Sequence, residues 1–322
     1  MPEGRGLFEV ARERMRTLHL ALRTEQAYLQ WMRRYVKFHN RRHPRDMGPA
    51  EVEAFLTHLA VVAKVGASTQ NQALQALLFL YRQVLGIELP WLENVTRAYR
   101  PKRLPVVLSA TEVRSVLSHL EGTSWLIANL LYGSGLRLME AHRLRVKDLM
   151  IERGEIMVRD AKGGKDRVTV LPAALVAPLR EHLGKLFDRF EQHRKSREPG
   201  VSLPAALARK YPTAAIQWGW QWVFPSDSLC RDPYTGGSTR HHQHEKIVQR
   251  AVQAAVHRAG IAQPASCHTF RHCFATHLLE AGSDIRTVQE LLGHADVGTT
   301  MIYSHVMGKG AMGVRSPLDR QL

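Results

Sequence analysis

A phenol, two guanidinium groups and two imidazoles lie in short, distinctive sequence settings between residues 131 and 303 of the chain. An arginine follows a double-glycine turn in LYGSGLRLME, HTFRH holds a histidine and an arginine, a histidine ends LLGH, and a tyrosine stands nine residues later. These side chains are Arg137, His268, Arg271, His294 and Tyr303. Each is weak evidence alone, since a single arginine is usually a surface residue and a single tyrosine can be a core aromatic residue.

Together these groups could exchange phosphodiester bonds without a metal ion or ATP. A tyrosine phosphoester keeps the energy of the bond it replaces, but only about 0.1% of free tyrosine is ionised at neutral pH, so Tyr303 must be activated. Arg137 and Arg271 can clamp the nonbridging oxygens, with His294 as a further donor. His268 can act as an acid or base toward Tyr303.

The leaving oxygen needs a proton from a further acid. Residues 156–159 and 167–171 alternate like strands around the turn sequence AKGGKD, which predicts a β-hairpin with Lys162 and Lys165 at its basic tip. Glu140 stands three residues after Arg137 and could orient that arginine from the same helical face.

The first of two predicted domains, residues 1–89, reads as four helices. A short helix is predicted near residues 7–20. Apolar residues at helical spacing then follow Thr24, Pro49 and Ser68, and Gly86 closes the last helix. A proline-broken basic linker, residues 90–108, comes next. Its Lys102 and Arg103 could lie along a phosphate backbone.

The second predicted domain, residues 109–322, is mainly helical with a small antiparallel β-sheet. Ser109 and Glu112 fit a capping box at its start. Further helices are predicted over 173–195, 245–259, 268–281, 284–292 and 296–304. The intervening segment, residues 196–244, has no clear periodicity and holds three of the six tryptophans within five residues. In an extended segment these three, Trp218, Trp220 and Trp222, would share one face.

The charge points to nucleic acid. Among the 322 residues, 45 Lys and Arg face 29 Asp and Glu, which leaves +16, and 34 of the basic residues are arginine. Arginine has a planar fork suited to phosphate oxygens, so this bias favours a polyanionic partner. Residues 1–103 carry half of the excess, with 17 basic against 9 acidic residues.

Other classes find no support in the sequence. Unbroken apolar stretches are far shorter than the roughly 18 residues a membrane span needs, and the first 16 residues lack the apolar region of a secretory signal. Three cysteines are too few for a disulfide scaffold and suggest reduced thiols in a cytoplasm. A glycine-rich loop of the GxxxxGK[ST] kind is absent, so ATP use is not expected.

The order and spacing of the motifs resemble the tyrosine recombinases, the integrase family of site-specific recombinases. Their first arginine box, His-x-x-Arg box, Leu-Gly-His box and following tyrosine all have counterparts here. The resemblance narrows to integron integrases and spans nearly the whole chain. It rests on LRTEQAY at 22–28, RLPVVL at 103–108, the aromatic insertion at 196–244 and TTMIYSHV at 299–306.

The resemblance implies a two-domain, C-shaped clamp on DNA that needs no cofactor. It also implies a homotetramer on paired sites in the bacterial cytoplasm, strand exchange through a Holliday junction, and a C-terminal tail, residues 308–322, that docks on a neighbouring protomer. The family's catalytic lysine stands beside the first glycine of the turn, which selects Lys162, and leaves Lys165 as a DNA contact. Integron integrases recombine an attI duplex with a folded single-stranded attC site that carries extrahelical bases. Trp220, Pro233, His241 and His242 could read those bases by stacking.

Two other functions stay open. A type IB topoisomerase-like enzyme would use the same chemistry as a monomer, and a non-catalytic DNA-binding protein could retain the fold. Zinc is not expected at His268 and His272, because HTFRH lacks the glutamate of HExxH and Arg271 would repel a cation. Zinc is also not expected at the histidines of residues 241–244, which lack a cysteine at ligand spacing.

Overall fold

The computed structural model of the protein describes residues 6–89, 105–159, 165–294 and 296–306. It divides into two compact units, Met1–Arg103 and Leu104–Leu322. Both are mainly helical, and the second contains small antiparallel sheets, which confirms the predicted fold class. Several predicted residues lie outside the described ranges, namely Lys102, Arg103, Lys162 and the tail 308–322.

The first unit contains four α-helices over its described residues. Its helices are α1 (Leu7–Thr17), α2 (Leu22–Phe38), α3 (Pro49–Val61) and α4 (Ala67–Phe79), the last continuing as a π-helical segment, Leu80–Leu85. Their apolar faces share one core, in which the hydroxyls of Tyr35 and Tyr81 lie 2.9 Å apart.

Two helix starts in this unit differ from the prediction. Thr24 and Ser68 both lie inside helices, because the chain enters them through extended residues Ala21 and Gly66. Pro49 does occupy the first turn of α3, where its missing N–H costs nothing. Gly86 does end the last helix, in the left-handed conformation that glycine adopts without strain.

The second unit begins with three helices that build its core. The helices are α5 (Ala110–Ser118), α6 (Gly122–Gly133) and α7 (Leu138–His142). The predicted capping box is present before α5, since the Ser109 hydroxyl accepts the Glu112 N–H while the Glu112 carboxylate accepts the Ser109 N–H. Helix α6 is the most enclosed of the three, with one buried face made of Leu126, Ile127, Leu130 and Leu131.

A three-stranded antiparallel sheet follows. Its strands are β1 (Leu149–Met150), β2 (Glu155–Val158) and β3 (Arg167–Val170), in the order β1-β2-β3. The predicted hairpin is confirmed by the pairing of Ile156 with Thr169 and of Val158 with Arg167. Strand β1 was not predicted, since two residues are too few to show a period.

The insertion lies between helices α8 (Val176–Lys195) and α10 (Glu245–Arg258). It contains α9 (Ala205–Lys210) and the paired strands β4 (Cys230–Arg231) and β5 (Ser238–Thr239). The expectation that three tryptophans share a face of an extended segment is wrong. Trp218 and Trp220 lie in a 3-10 turn, Trp218–Trp220, and Trp222 is buried. Side chains in an irregular segment follow no fixed period, so residues that alternate in the sequence do not lie on one face.

The chain then forms α11 (Cys267–Glu280), α12 (Ile285–Leu292), α13 (Val297–Thr300) and a 3-10 helix, Met301–Val306. Side-chain caps separate these elements, with Ser266 before α11, Asp284 before α12 and Asp296 before α13. Over the described ranges, no helix is both long enough and apolar enough to cross a membrane.

Candidate active site

Arg137 is held at the start of α7 by Glu140. The arginine is the N-cap of the helix, and its backbone N–H donates to Glu140 Oε2 at 2.8 Å while its guanidinium donates to Oε1 at 2.7 Å. The turn before it needs Gly135, which has φ +63°, and a Cβ there would meet the Phe274 ring at 2.4 Å. Gly135 and Glu140 therefore fix both the backbone conformation of Arg137 and the position of its guanidinium group.

Arg271 lies on α11 and is only 2% exposed. Its guanidinium donates to the carbonyl of Gly135 at 2.5 Å and to that of Leu292 at 2.6 Å, so it joins the Arg137 turn to the end of α12. Burial and the charge of Arg137 lower the pKa of Arg271 to about 9, which leaves the group charged at neutral pH.

Sequence reasoning missed a third arginine, Arg167 of β3. It donates to both carboxylate oxygens of Glu140, at 3.0 and 2.6 Å, and to the carbonyl of Leu291 at 2.9 Å. In β3 the polar residues Arg167 and Thr169 face inward, while the apolar residues Val168 and Val170 are 42% and 43% exposed. A strand is usually the other way round, so the sequence gave no sign that Arg167 points into the protein.

Glu140 is therefore shared by three guanidinium groups. Besides Arg137 and Arg167, Arg271 approaches its Oε2 to 3.6 Å. Burial raises the pKa of Glu140, but the hydrogen bonds and charges of Arg167 and Arg137 outweigh it and lower the pKa to about 2. The carboxylate stays ionised and can hold all three arginines in place.

His294 is placed against Arg271 by the end of α12. Arg271 donates to His294 Nε2 at 3.2 Å, so Nδ1 carries the proton and donates to Thr300 Oγ1 at 2.9 Å. Burial and the nearby arginines lower the pKa of His294 to about 4, which keeps it neutral. Gly293 has φ +62°, and a Cβ there would meet the Arg167 side chain at 2.6 Å.

Tyr303 lies in the 3-10 helix after α13 and is 2% exposed. Burial raises the pKa of its phenol, while the charges of Arg271 and Arg137 act in the opposite direction. Its hydroxyl forms a hydrogen bond of 2.7 Å with Nδ1 of His272, a residue to which the sequence assigned no role. The partner expected from the sequence, His268, is exposed one helical turn earlier, with its ring centroid 5.4 Å from that of His272.

The proposed base-reading residues occupy two environments. Trp220 is half-buried, with Lys147 Nζ 2.8 Å from its ring centroid, and Pro233 is exposed. His241 is half-buried beside Trp222. His242 is 9% exposed, and its ring is surrounded by other aromatic rings, those of His142, His241 and Trp222. Trp220 and Pro233 therefore keep accessible surface, whereas the ring of His242 is covered by its neighbours.

Lys165 is exposed at the described edge of the hairpin, whereas Lys162 falls in the range without a description. Across the described residues, three or more His, Cys, Asp or Glu side chains do not gather anywhere into a set able to hold a metal ion.

Comparison with known proteins agrees with this geometry. The chain matches the Phage integrase family over residues 106–309 and the N-terminal SAM-like domain of phage integrases over residues 7–91. It is 52% identical to an integrase/recombinase of Escherichia coli, over 96% of this chain and 91% of that one. It is 33% identical to tyrosine recombinase XerD of Agrobacterium fabrum, over 80% and 76%.

Solved structures share the fold. A lambda integrase dimer bound to a core site has a TM-score of 0.62 at 16% identity, and covers 95% of this chain and 96% of its own. The XerH recombinase in a pre-cleavage complex with its difH substrate has a TM-score of 0.60 at 18% identity, with 94% and 82% covered. The family matches span most of the sequence, and the residues that carry the chemistry lie inside them. The chain therefore belongs to the phage integrase family of tyrosine recombinases.

Proposed function

We propose that this protein is a site-specific DNA recombinase that forms a 3′-phosphotyrosyl bond through Tyr303. The observation that carries the proposal is the convergence of three structural elements on one anion site. Arg271 from α11 is hydrogen-bonded to His294 after α12, and Glu140 pairs with both Arg271 and Arg137 from α7. The charges of both arginines also act on Tyr303. A site built this way is suited to a phosphate whose charge grows during reaction.

The residues take distinct roles in the cleavage step. Arg137 and Arg271 bind the nonbridging oxygens of the scissile phosphate, and His294 adds a donor through rotation or proton transfer on DNA binding. Tyr303 attacks phosphorus, and Lys162 gives a proton to the leaving 5′ oxygen. His268 is placed at the exposed rim, where it can contact the DNA. Glu140 acts on none of the reacting atoms and positions the arginines.

The domain organisation supports a clamp around DNA. We assign residues 1–89 to a core-binding domain, 90–108 to a basic linker with Lys102 and Arg103 on the phosphate backbone, and 109–322 to the catalytic domain. Four protomers then assemble on two sites and exchange the tail 308–322. The Arg-rich composition and the relatives' DNA-bound complexes support this arrangement.

The substrates we propose are those of an integron integrase, an attI duplex and a folded single-stranded attC site in the bacterial cytoplasm. The support is the aromatic insertion at 196–244, in which Trp220 and Pro233 remain accessible. A duplex-only recombinase has no need of an accessible aromatic side chain for an extrahelical base.

The decisive experiment recombines a bottom-strand attC hairpin with an attI duplex and scores the joined product. A supercoil relaxation assay runs beside it, and both are repeated with EDTA. Joined product that persists in EDTA supports the proposal. Relaxation alone would identify a topoisomerase-like enzyme, binding without either activity a non-catalytic protein, and a metal requirement would contradict the mechanism.

A further inference from the structure

His272 contacts the atom that reacts. Its Nδ1 lies 2.7 Å from Tyr303 Oη, and the two ring centroids are 5.5 Å apart. Both side chains are fixed, since His272 stands on α11 directly after the buried Arg271 and Tyr303 is enclosed in the core formed by α11 and α12. A contact of this length lies within the range needed for proton transfer.

The surroundings keep His272 neutral and so able to accept a proton. Burial lowers its pKa to about 4, together with the like charge that protonated His268 of the preceding turn carries and the charge of the adjacent Arg271. When a phosphate binds Arg271 and Arg137, its negative charge opposes those positive groups. The histidine then becomes a stronger base at the stage when the tyrosine must lose its proton.

We propose that His272 is the catalytic group that takes the proton of Tyr303 during DNA cleavage and returns it during rejoining. This inference rests on the proposed recombinase function. It assigns to His272 the role that the sequence suggested for His268, which is exposed one helical turn earlier on α11, with its ring centroid 5.4 Å from that of His272.

Tyr303 Oη forms the bond to phosphorus while its O–H bond breaks toward His272 Nδ1, so the imidazole becomes an imidazolium. The bond from phosphorus to the 5′ oxygen breaks, and that oxygen takes a proton from the general acid, assigned above to Lys162. Rejoining reverses both transfers, and no oxidant, reductant or metal takes part.

The same helix supplies a matched control. His277 lies on α11 and forms an equivalent pair, with Nδ1 2.9 Å from the hydroxyl of Tyr132 and Nε2 3.0 Å from the carbonyl of Leu108. This pair contacts none of the proposed catalytic groups among the described residues. An imidazole that only ties a tyrosine to α11 should therefore behave like His277.

The experiment measures covalent adduct formation on a nicked suicide attC hairpin and a nicked suicide attI duplex, for wild type, His272→Asn, His272→Gln and His277→Asn. Asparagine keeps a hydrogen-bonding group near the position of Nδ1 but cannot accept a proton. We expect His272→Asn to lower the rate constant by about 10²–10⁴ with DNA binding unchanged, and His277→Asn to change it little. The glutamine variant serves if the asparagine variant fails to fold.

The pH profile separates a proton acceptor from a structural residue. Without an internal base, the rate should follow the tyrosinate fraction and rise by nearly tenfold per pH unit between about pH 6 and 9, while the wild-type rate changes much less. Substrates with sulfur in place of the bridging 5′ oxygen should rescue Lys162→Ala but not His272→Asn, because sulfur removes only the need for a leaving-group acid.

The outcomes distinguish the role of His272 from the recombinase function itself. An active His272→Asn with a wild-type pH profile, or rescue of that variant by the 5′ sulfur, would overturn the role of His272 and leave the recombinase function standing. Loss of activity in His272→Asn with the steeper pH profile supports it. Absence of any adduct in the wild type on both substrates would overturn the proposed function and this inference together.

Discussion

At the scale of single residues, the enclosed ring of Tyr303 makes one substitution especially informative. Tyr303→Phe removes one oxygen and little volume, so the fold and DNA binding should persist while cleavage disappears. A suicide substrate should trap a covalent adduct with wild type only, detected by denaturing gel electrophoresis. An adduct formed by the phenylalanine variant would show that another residue is the nucleophile.

The two hairpin lysines should differ in how they fail. If Lys162 is the general acid, Lys162→Ala should lose cleavage and regain it on a substrate with a bridging 5′ sulfur, which leaves without a proton. Lys165→Ala should instead bind DNA more weakly, with a loss that grows with salt, as for a phosphate contact. Selective rescue of Lys165→Ala alone would exchange the two roles.

Buried His142 should make the second unit sensitive to acid. It is 0% exposed, and neither ring nitrogen is hydrogen-bonded to another described residue. Burial, aided by the charge of His244, lowers its pKa to about 4. Because the unfolded histidine protonates near its ordinary pKa of about 6.5, stability is retained above that pH and lost as the pH falls toward 4.

The test compares urea unfolding at pH 7 and pH 5. His142→Phe should remove about 2 kcal/mol of the wild-type loss between the two pH values, while the exposed His257→Phe should not. An equal acid loss in wild type and His142→Phe would show that His142 does not set this sensitivity.

The sequence predicted much of the site but not all of it. Arg137, His268, Arg271, His294 and Tyr303 stand in recognisable motifs, and the structure brings all five into one hydrogen-bonded or charge-coupled group, His268 through the charges of Arg271 and Arg137. Arg167 and His272 could not be found this way. Their contacts depend on β3 lying against α12 and on the 3-10 helix lying against α11, and local spacing does not encode those placements.

At the scale of elements, the three tryptophans of the insertion differ in how completely other side chains cover them. Trp222 is buried with Arg145 3.7 Å from its ring centroid, and Trp218 packs on Phe187 and Phe190 of α8. Trp220 contacts Lys147 instead and keeps part of its ring accessible. Of the three, Trp220 alone combines a nearby cation with a partly accessible ring, as binding of an extrahelical base beside a phosphate requires.

We therefore expect Trp220→Ala to weaken binding to the attC hairpin by about tenfold, which corresponds to about 1.4 kcal/mol, and to affect the attI duplex much less. Fluorescence anisotropy at one fixed salt concentration measures both. Trp218→Ala is the matched control and should lower the melting temperature with equal, small effects on the two DNAs. His242→Ala should behave like the control because the ring is buried. Equal losses on both DNAs for Trp220→Ala would contradict base reading.

Regular elements were predicted well and irregular ones poorly, for a physical reason. Helices α2 and α10 each bury one continuous apolar face, and the β2-β3 hairpin has a regular strand pairing. Burial of one face requires apolar residues at regular intervals, and that interval is visible in the sequence. The insertion is held by isolated side-chain contacts, for example the bonds from Arg145 to the carbonyls of Trp220 and Ser202. Such contacts join residues far apart in sequence and leave no periodic trace.

At the scale of the whole molecule, the +16 net charge should dominate the salt dependence of DNA binding. A protein that makes about 6–10 phosphate contacts loses about 10³–10⁵ in affinity between about 50 and 200 mM salt. Anisotropy titrations with the attI duplex should show a loss in this range, and Tyr303→Phe should give the same slope because the phenol carries no charge. A shallow slope would mean that most of the arginines lie away from the DNA.

The sharing of Glu140 by three arginines has a consequence for the energetics of strand cleavage. With the neighbouring imidazoles neutral, three guanidinium groups and one carboxylate leave this site with two uncompensated positive charges. A phosphodiester bears one negative charge, whereas the five-coordinate phosphorus reached during attack bears nominally two. Leaving aside the proton that His272 takes from Tyr303, the three arginines and Glu140 exceed the charge of the intact phosphodiester and balance that of the transition state. Intact DNA therefore gains less from this electrostatic match than the transition state does.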